Sequence, residues 1–113
     1  MNDFELNKAI AEAVYPNTRV DRYSSKQKTA FIFNGDGTPP NKFNFNNWND
    51  LMHLVVEHNI SLECQITGDK EVYWEANGLH QYCDEVHKNP QRALAEYLLK
   101  VLTSKAFTEE KKK

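Results

Sequence analysis

Apolar positions recur along this chain in stretches with either a helical or a strand period, separated by residues that favour turns. In residues 3–14, Leu6, Ile10, Ala13 and Val14 form one helical stripe; Asp3 is positioned to cap it, Glu5 suits its first turn, and Pro16 ends it. Two β-prone runs, 19–23 and 29–33, flank the polar stretch 24–28 and read as a hairpin. Phe31 and Phe33 share one face of it, and Ile32 points the other way.

Asn34-Gly35-Asp36-Gly37-Thr38-Pro39-Pro40 is turn chemistry and opens a long loop over 34–47. A second helix is predicted over 48–58, with Asn47 as N-cap, Asp50 three residues on in a variant of the capping box, and Trp48, Leu51, Met52 and Val55 inward. Asn59 is suited to end it in a left-handed conformation. The strict alternation of Leu62, Cys64 and Ile66 with polar neighbours predicts a strand, residues 67–70 a turn, and 71–76 a returning strand with Val72 and Trp74 on one side and Tyr73 on the other. Residues 77–88 fit either a loop or a short helix. The last helix is strongly marked: Asn89 as N-cap, Pro90 at the first position, then the stripe Leu94, Tyr97, Leu98, Val101 and Leu102.

The expected fold is therefore α+β, in the order α-β-β-α-β-β-α: an antiparallel sheet of about four strands packed by three helices in a single domain over 1–108, followed by a frayed charged tail at 109–113. Its core is expected to unite Leu62, Cys64, Ile66, Val72 and Trp74 with Leu94, Leu98 and Val101.

Composition narrows the function. A chain of 113 residues that is 40% hydrophobic, with six Phe, five Tyr and two Trp, can form one packed core, which excludes a multidomain enzyme and global disorder. No apolar run approaches the roughly 20 residues of a membrane span, and the first residues lack the basic start and apolar run of a signal peptide, so a cytoplasmic location is expected. With only Cys64 and Cys83, no disulfide framework is expected. The net charge of -2 argues against a general nucleic-acid binder, but the charge is uneven. Residues 19–28 hold four basic residues and one acid, whereas 57–85 hold seven acids and one Lys.

His80, Cys83 and His87 have a spacing that would present zinc ligands on successive helical turns, but a fourth ligand is missing, since His53, His58 and Cys64 have packing or surface explanations; no metal site is expected. Glu57 with His58, and Asp84 and Glu85 with His87, form no acid-base pair of fixed geometry, and no nucleophile elbow, phosphate loop or dinucleotide fingerprint is present; neither enzyme activity nor a cofactor is expected. Arg19, Arg22, Lys26 and Lys28, with Tyr23 beside them, suit a phosphate backbone and a stacked base, or else a solvated sheet edge protected from aggregation. Phe43, Phe45 and Trp48 pin the loop to the core or expose an anchor for a partner. Arg92, in the first turn of the last helix where the dipole disfavours a cation, either pairs with Asp84 or Glu85 or forms an anion site with Lys88 and the backbone N–H groups beyond Asn89.

Three segments carry a resemblance: Asp3-Phe4-Glu5-Leu6-Asn7-Lys8-Ala9-Ile10-Ala11, the tryptophan Trp48 at the middle helix, and Asn89-Pro90-Gln91-Arg92-Ala93. In these the chain resembles the NinX-like small accessory proteins of lambdoid phages and prophages and the phage ABA sandwich domain. The resemblance implies an α/β/α sandwich and a bacterial host cytoplasm, and it implies no activity or cofactor. The leading expectation is a non-enzymatic phage accessory protein that binds a host or phage protein through its long loop or acidic face, with its oligomeric state open. The alternative is a small nucleic-acid or nucleotide-binding module using the basic hairpin 19–28 and the start of the last helix.

Overall fold

The computed structural model describes residues 1–78 and 85–111, with side chains to Thr103. In chain order the elements are α1 (Asp3–Val14), β1 (Arg19–Asp21), β2 (Ala30–Phe33), β3 (Asn41–Phe43), α2 (Trp48–Glu57), β4 (Ile60–Ile66), β5 (Val72–Gly78), β6 (Glu85–His87) and α3 (Pro90–Lys111). The expected α+β order holds, with one short strand added before α2 and another before α3. The strands form two antiparallel three-stranded sheets, β1-β2-β3 and β4-β5-β6, where one sheet of about four strands was expected. α1 packs on β1 and β2; α3 packs on α1, on α2 and on all three strands of the second sheet. Helices thus lie between two sheets, the reverse of the helix-sheet-helix layering that the resemblance implies. No helix of the described residues is long and apolar enough to cross a membrane.

Local chemistry sets the ends of the helices. Asn2, not Asp3, caps α1: its side chain accepts the Glu5 N–H at 2.8 Å, one residue before the expected position. Asn47 caps α2, and Asn59 takes a left-handed φ of 55° after it. Asp50 is not a capping-box partner, because its carboxylate accepts the Asn44 N–H instead. Asn89 caps α3 by accepting from Gln91 and Arg92 N–H. The backbone of α3 stays helical through 109–111. Of residues 77–88, the first two belong to β5 and 85–87 to β6, while 79–84 lie outside the described residues.

The core joins Leu6 and Ile10 of α1, Ala30 and Ile32 of β2, Leu51 and Leu54 of α2, and Leu94, Tyr97, Leu98 and Val101 of α3. Gly78 lies close beneath α3: a Cβ there would stand 2.9 Å from the Asn59 carbonyl and 3.4 Å from the Tyr97 hydroxyl. Phe43 and Phe45 are buried and pin the loop.

Two expectations about burial are corrected. Cys64, Ile66 and Val72 are exposed, and Leu62 and Trp74 only half-buried, although their alternation is regular. The reason is coverage. α3 touches His87 through Glu96 and Glu85 through Lys100, so it travels toward the Ala76 end of the sheet, where burial is complete, and leaves the Ile66–Val72 end bare. Likewise Trp48 and Met52 of α2 are exposed, because the face that meets the core is Leu51, Leu54 and Val55 and those two residues lie on the next stripe round, with Val56.

Candidate nucleic-acid interface

The hairpin joining β1 to β2 is shaped by one side chain. Gln27 Oε1 accepts the N–H groups of Tyr23 and Ser24 at 3.0 and 3.2 Å, and the Gln27 N–H returns to the Ser24 carbonyl at 3.0 Å. The turn is thereby closed from inside. Its far side is held by Asn7, a fully buried amide of α1, whose Nδ2 donates to the Lys28 carbonyl at 2.8 Å and whose Oδ1 accepts the Phe45 N–H at 2.8 Å. One amide therefore fixes the turn and the loop before α2 against the helix.

Because β2 alternates, Ala30 and Ile32 face the core while Phe31 and Phe33 face outward. Tyr23, 65% exposed, stands edge-on to both, with ring centroids 4.7 Å from Phe31 and 5.9 Å from Phe33. On β1, Arg19 pairs in register with Phe33 and lays its guanidinium 4.6 Å from that ring; on β3, Lys42 pairs with Phe31. The outer face of the first sheet is thus an aromatic platform bordered by cations, with Asp21 as its acid.

Formed in part by the residues flanking Tyr23 in the chain, a cleft of about 500 Å³ lies between the start of α1 and the turn. Arg22, Lys26, Lys28 and Arg92 line it with one carboxylate, Asp3. The Arg22 guanidinium lies over Phe4, its carbon 4.2 Å from the ring centroid, and among the described residues no carboxylate is within ion-pair range of Arg22 or Lys26. Lys28 Nζ is 3.7 Å from Asp3, and Arg92 Nη1 donates to Asp3 at 2.9 Å.

Of the residues singled out from the sequence, Arg22, Lys26, Lys28 and Arg92 come together here, and Arg19 borders the adjoining platform. Lys88 and Asn89 do not join them. Lys88 lies near Glu71 and above the Tyr73 ring, and Asn89 uses its side chain on the first-turn N–H groups that an anion at α3 would need. Arg92 is a salt-bridge residue, but with Asp3 and Glu96 in place of Glu85; Asp84, like His80 and Cys83, lies outside the described residues. Sequence reasoning missed Phe4, Lys42 and Asn7. Asn7 had a legible signal, since it interrupts the stripe Leu6, Ile10 and Ala11 as a polar residue at a core position.

Behind Arg92 an ion network reaches the second sheet. Arg92 Nε donates to Glu96 Oε1 at 3.0 Å, Glu96 Oε2 meets His87 Nε2, Glu85 Oε2 lies 3.8 Å from the same nitrogen, and Lys100 holds Glu85 Oε1. Burial pushes the Glu96 carboxyl up, but its hydrogen bonds with His87 and Arg92 and their charges outweigh this and hold its pKa below the ordinary value. Donor atoms of Glu85, His87 and Glu96 lie within 4.8 Å of one another, close enough for a cation, yet the outer oxygens of both carboxylates are already held by Lys100 and Arg92. The cluster is accounted for as the junction of α3 with β6.

Comparison with family models, curated proteins and solved structures finds no match to this chain.

Proposed function

We propose that this protein is a small binding domain for single-stranded nucleic acid, acting without catalysis, and that its accessory role in a phage or prophage setting is exercised through a nucleic-acid strand. The observation that carries the reading is Tyr23, mostly exposed on the Phe31–Phe33 platform and next in sequence to an Arg22 without a carboxylate partner. Bases stack on exposed aromatic faces whatever their sequence, and cations beside the platform track the phosphates. An overall charge of -2 does not oppose this, because solvent ions screen charges more than about 10 Å away, while the nearer Glu96 and Glu85 are held by Arg92, His87 and Lys100.

The reading selects a single strand over a duplex because the exposed Tyr23 ring can engage an unpaired base, whereas a duplex presents only its edges and backbone. Fluorescence anisotropy with a short labelled oligothymidylate and the matching duplex tests it. The expected result is salt-sensitive binding of the single strand, weakened by Tyr23→Ala by about 1 to 3 kcal/mol for the lost stack. Removing Lys26 is expected to flatten the dependence of log K on log salt by about 0.7. Binding that ignores both substitutions, or an equal preference for duplex, overturns the reading.

A further inference from the structure

We infer that the cleft beside the aromatic platform receives a terminal phosphomonoester of the bound strand, an inference that rests on the reading of the sheet face as a single-strand interface. An internal phosphodiester carries one negative charge, and a strand of them is matched by cations spaced along its path. Arg19 and Lys42 border the platform in that way, but the cations of the cleft are not spaced along a path. Arg22, Lys26, Lys28 and Arg92 ring one cleft and face one carboxylate.

A terminal phosphomonoester carries about 1.5 to 2 negative charges at neutral pH and three acceptor oxygens, which suits such a ring. Arg22 supplies the directional contact. Its guanidinium packs over the Phe4 ring, and among the described residues its side-chain N–H groups have no protein acceptor, which leaves a planar fork available to two phosphate oxygens. Arg92 is 18% exposed and held by Asp3 and Glu96, so it forms the floor and contributes field. Lys26 and Lys28 are exposed arms on a turn whose backbone is fixed by Gln27 and Asn7. Asp3 sets a threshold: it already draws Lys28 and Arg92, so an incoming anion must compete with a carboxylate, and a dianion does so where a monoanion gains little.

The test compares one internally labelled oligothymidylate in three forms, with a 5′-phosphate, with a 3′-phosphate and with hydroxyls at both ends, by anisotropy against the full chain. One phosphorylated form is expected to bind about tenfold or more tighter than the hydroxyl form, the scale of one added charge-assisted hydrogen bond. Arg22→Gln and, separately, Lys26→Gln at an exposed position are expected to reduce that preference several-fold, whereas Tyr23→Ala weakens all three strands alike and preserves it. Equal affinity for the three forms, or a preference that survives Arg22→Gln, overturns the inference and leaves the sheet-face reading standing. Failure of every strand to bind overturns the sheet-face reading. In that event thymidine 5′-monophosphate, followed by amide shifts over residues 22–28, reads the cleft alone: shifts abolished by Arg22→Gln sustain a phosphomonoester site, and their absence overturns it too.

Discussion

The two sheets share a strand count and an antiparallel pairing, yet they use their apolar positions in opposite ways. In the first, the inward positions Val20, Ala30, Ile32 and Phe43 are all buried, and the outward positions carry aromatic rings that stay accessible among cations. In the second, a single apolar face runs from Ala76, which is fully buried, to Ile66, which is 69% exposed. The difference teaches that alternation fixes sidedness, whereas the position of the covering helix fixes burial. It also separates two kinds of exposed apolar surface. Ile66 and Val72 form one cross-strand pair at the bare end of the β4–β5 hairpin, while Tyr23, Phe31 and Phe33 sit with Arg19 and Lys42.

The largest effect expected from this contrast is in the core. Leu98→Ala, at a fully buried position of α3 in the core, is expected to cost about 2 to 5 kcal/mol in denaturant unfolding. Ile66→Ala on the bare end of that sheet is expected to stay within about 0.5 kcal/mol of wild type. Equal costs would mean that the end of the β4–β5 hairpin is covered after all.

Next comes Asn7. Its replacement by Ala leaves the Phe45 N–H and the Lys28 carbonyl without their partner, at an expected cost of about 1 to 3 kcal/mol for each group left dry. Because Lys28 lines the cleft, the same variant is expected to loosen the turn, seen as faster amide exchange over residues 22–28. Unchanged stability and exchange would show that Asn7 does not organise the turn.

A smaller effect is expected from pH. The Glu96 pKa is lower in the folded chain than its ordinary value of 4.5, so its contribution to stability is present above pH 4.5 and lost as pH falls through the lower folded value. Glu96→Gln is therefore expected to lower stability at neutral pH and to flatten the decline in acid, as followed by thermal melts from neutral pH downward. A variant with the wild-type slope would remove Glu96 from the acid response.

Much of the architecture was legible from local rules. Asn47, Asn59, Asn89 and Pro90 mark helix ends by chemistry confined to one turn, and the stripe Leu94, Tyr97, Leu98 and Val101 is long enough to be read without its neighbours. The three-residue strands β3 and β6 were not legible, because so short a segment carries no period and exists through the strand it pairs with. Nor was the fate of Trp48 or Cys64, which depends on where another helix lies. The candidate site divides the same way. Arg19, Arg22, Lys26, Lys28 and Tyr23 are close in sequence and could be grouped by eye, while Arg92 reaches them only because α1 brings Asp3 to it across 89 positions of chain. Arg92 stands out in the sequence as a cation in the first turn of a helix, but its partner comes only from the fold.

On the proposed reading the platform of the first sheet, and not the bare end of the second, meets a nucleic-acid strand. Titrating the isotopically labelled protein with a short oligothymidylate and following its amide shifts tests this most directly. Shifts are expected at residues 19, 22–28, 31, 33 and 42 that shrink as salt is raised, with residues 60–66 silent. Shifts centred on 60–66 and 72–74, or none anywhere while the protein remains folded, would contradict it.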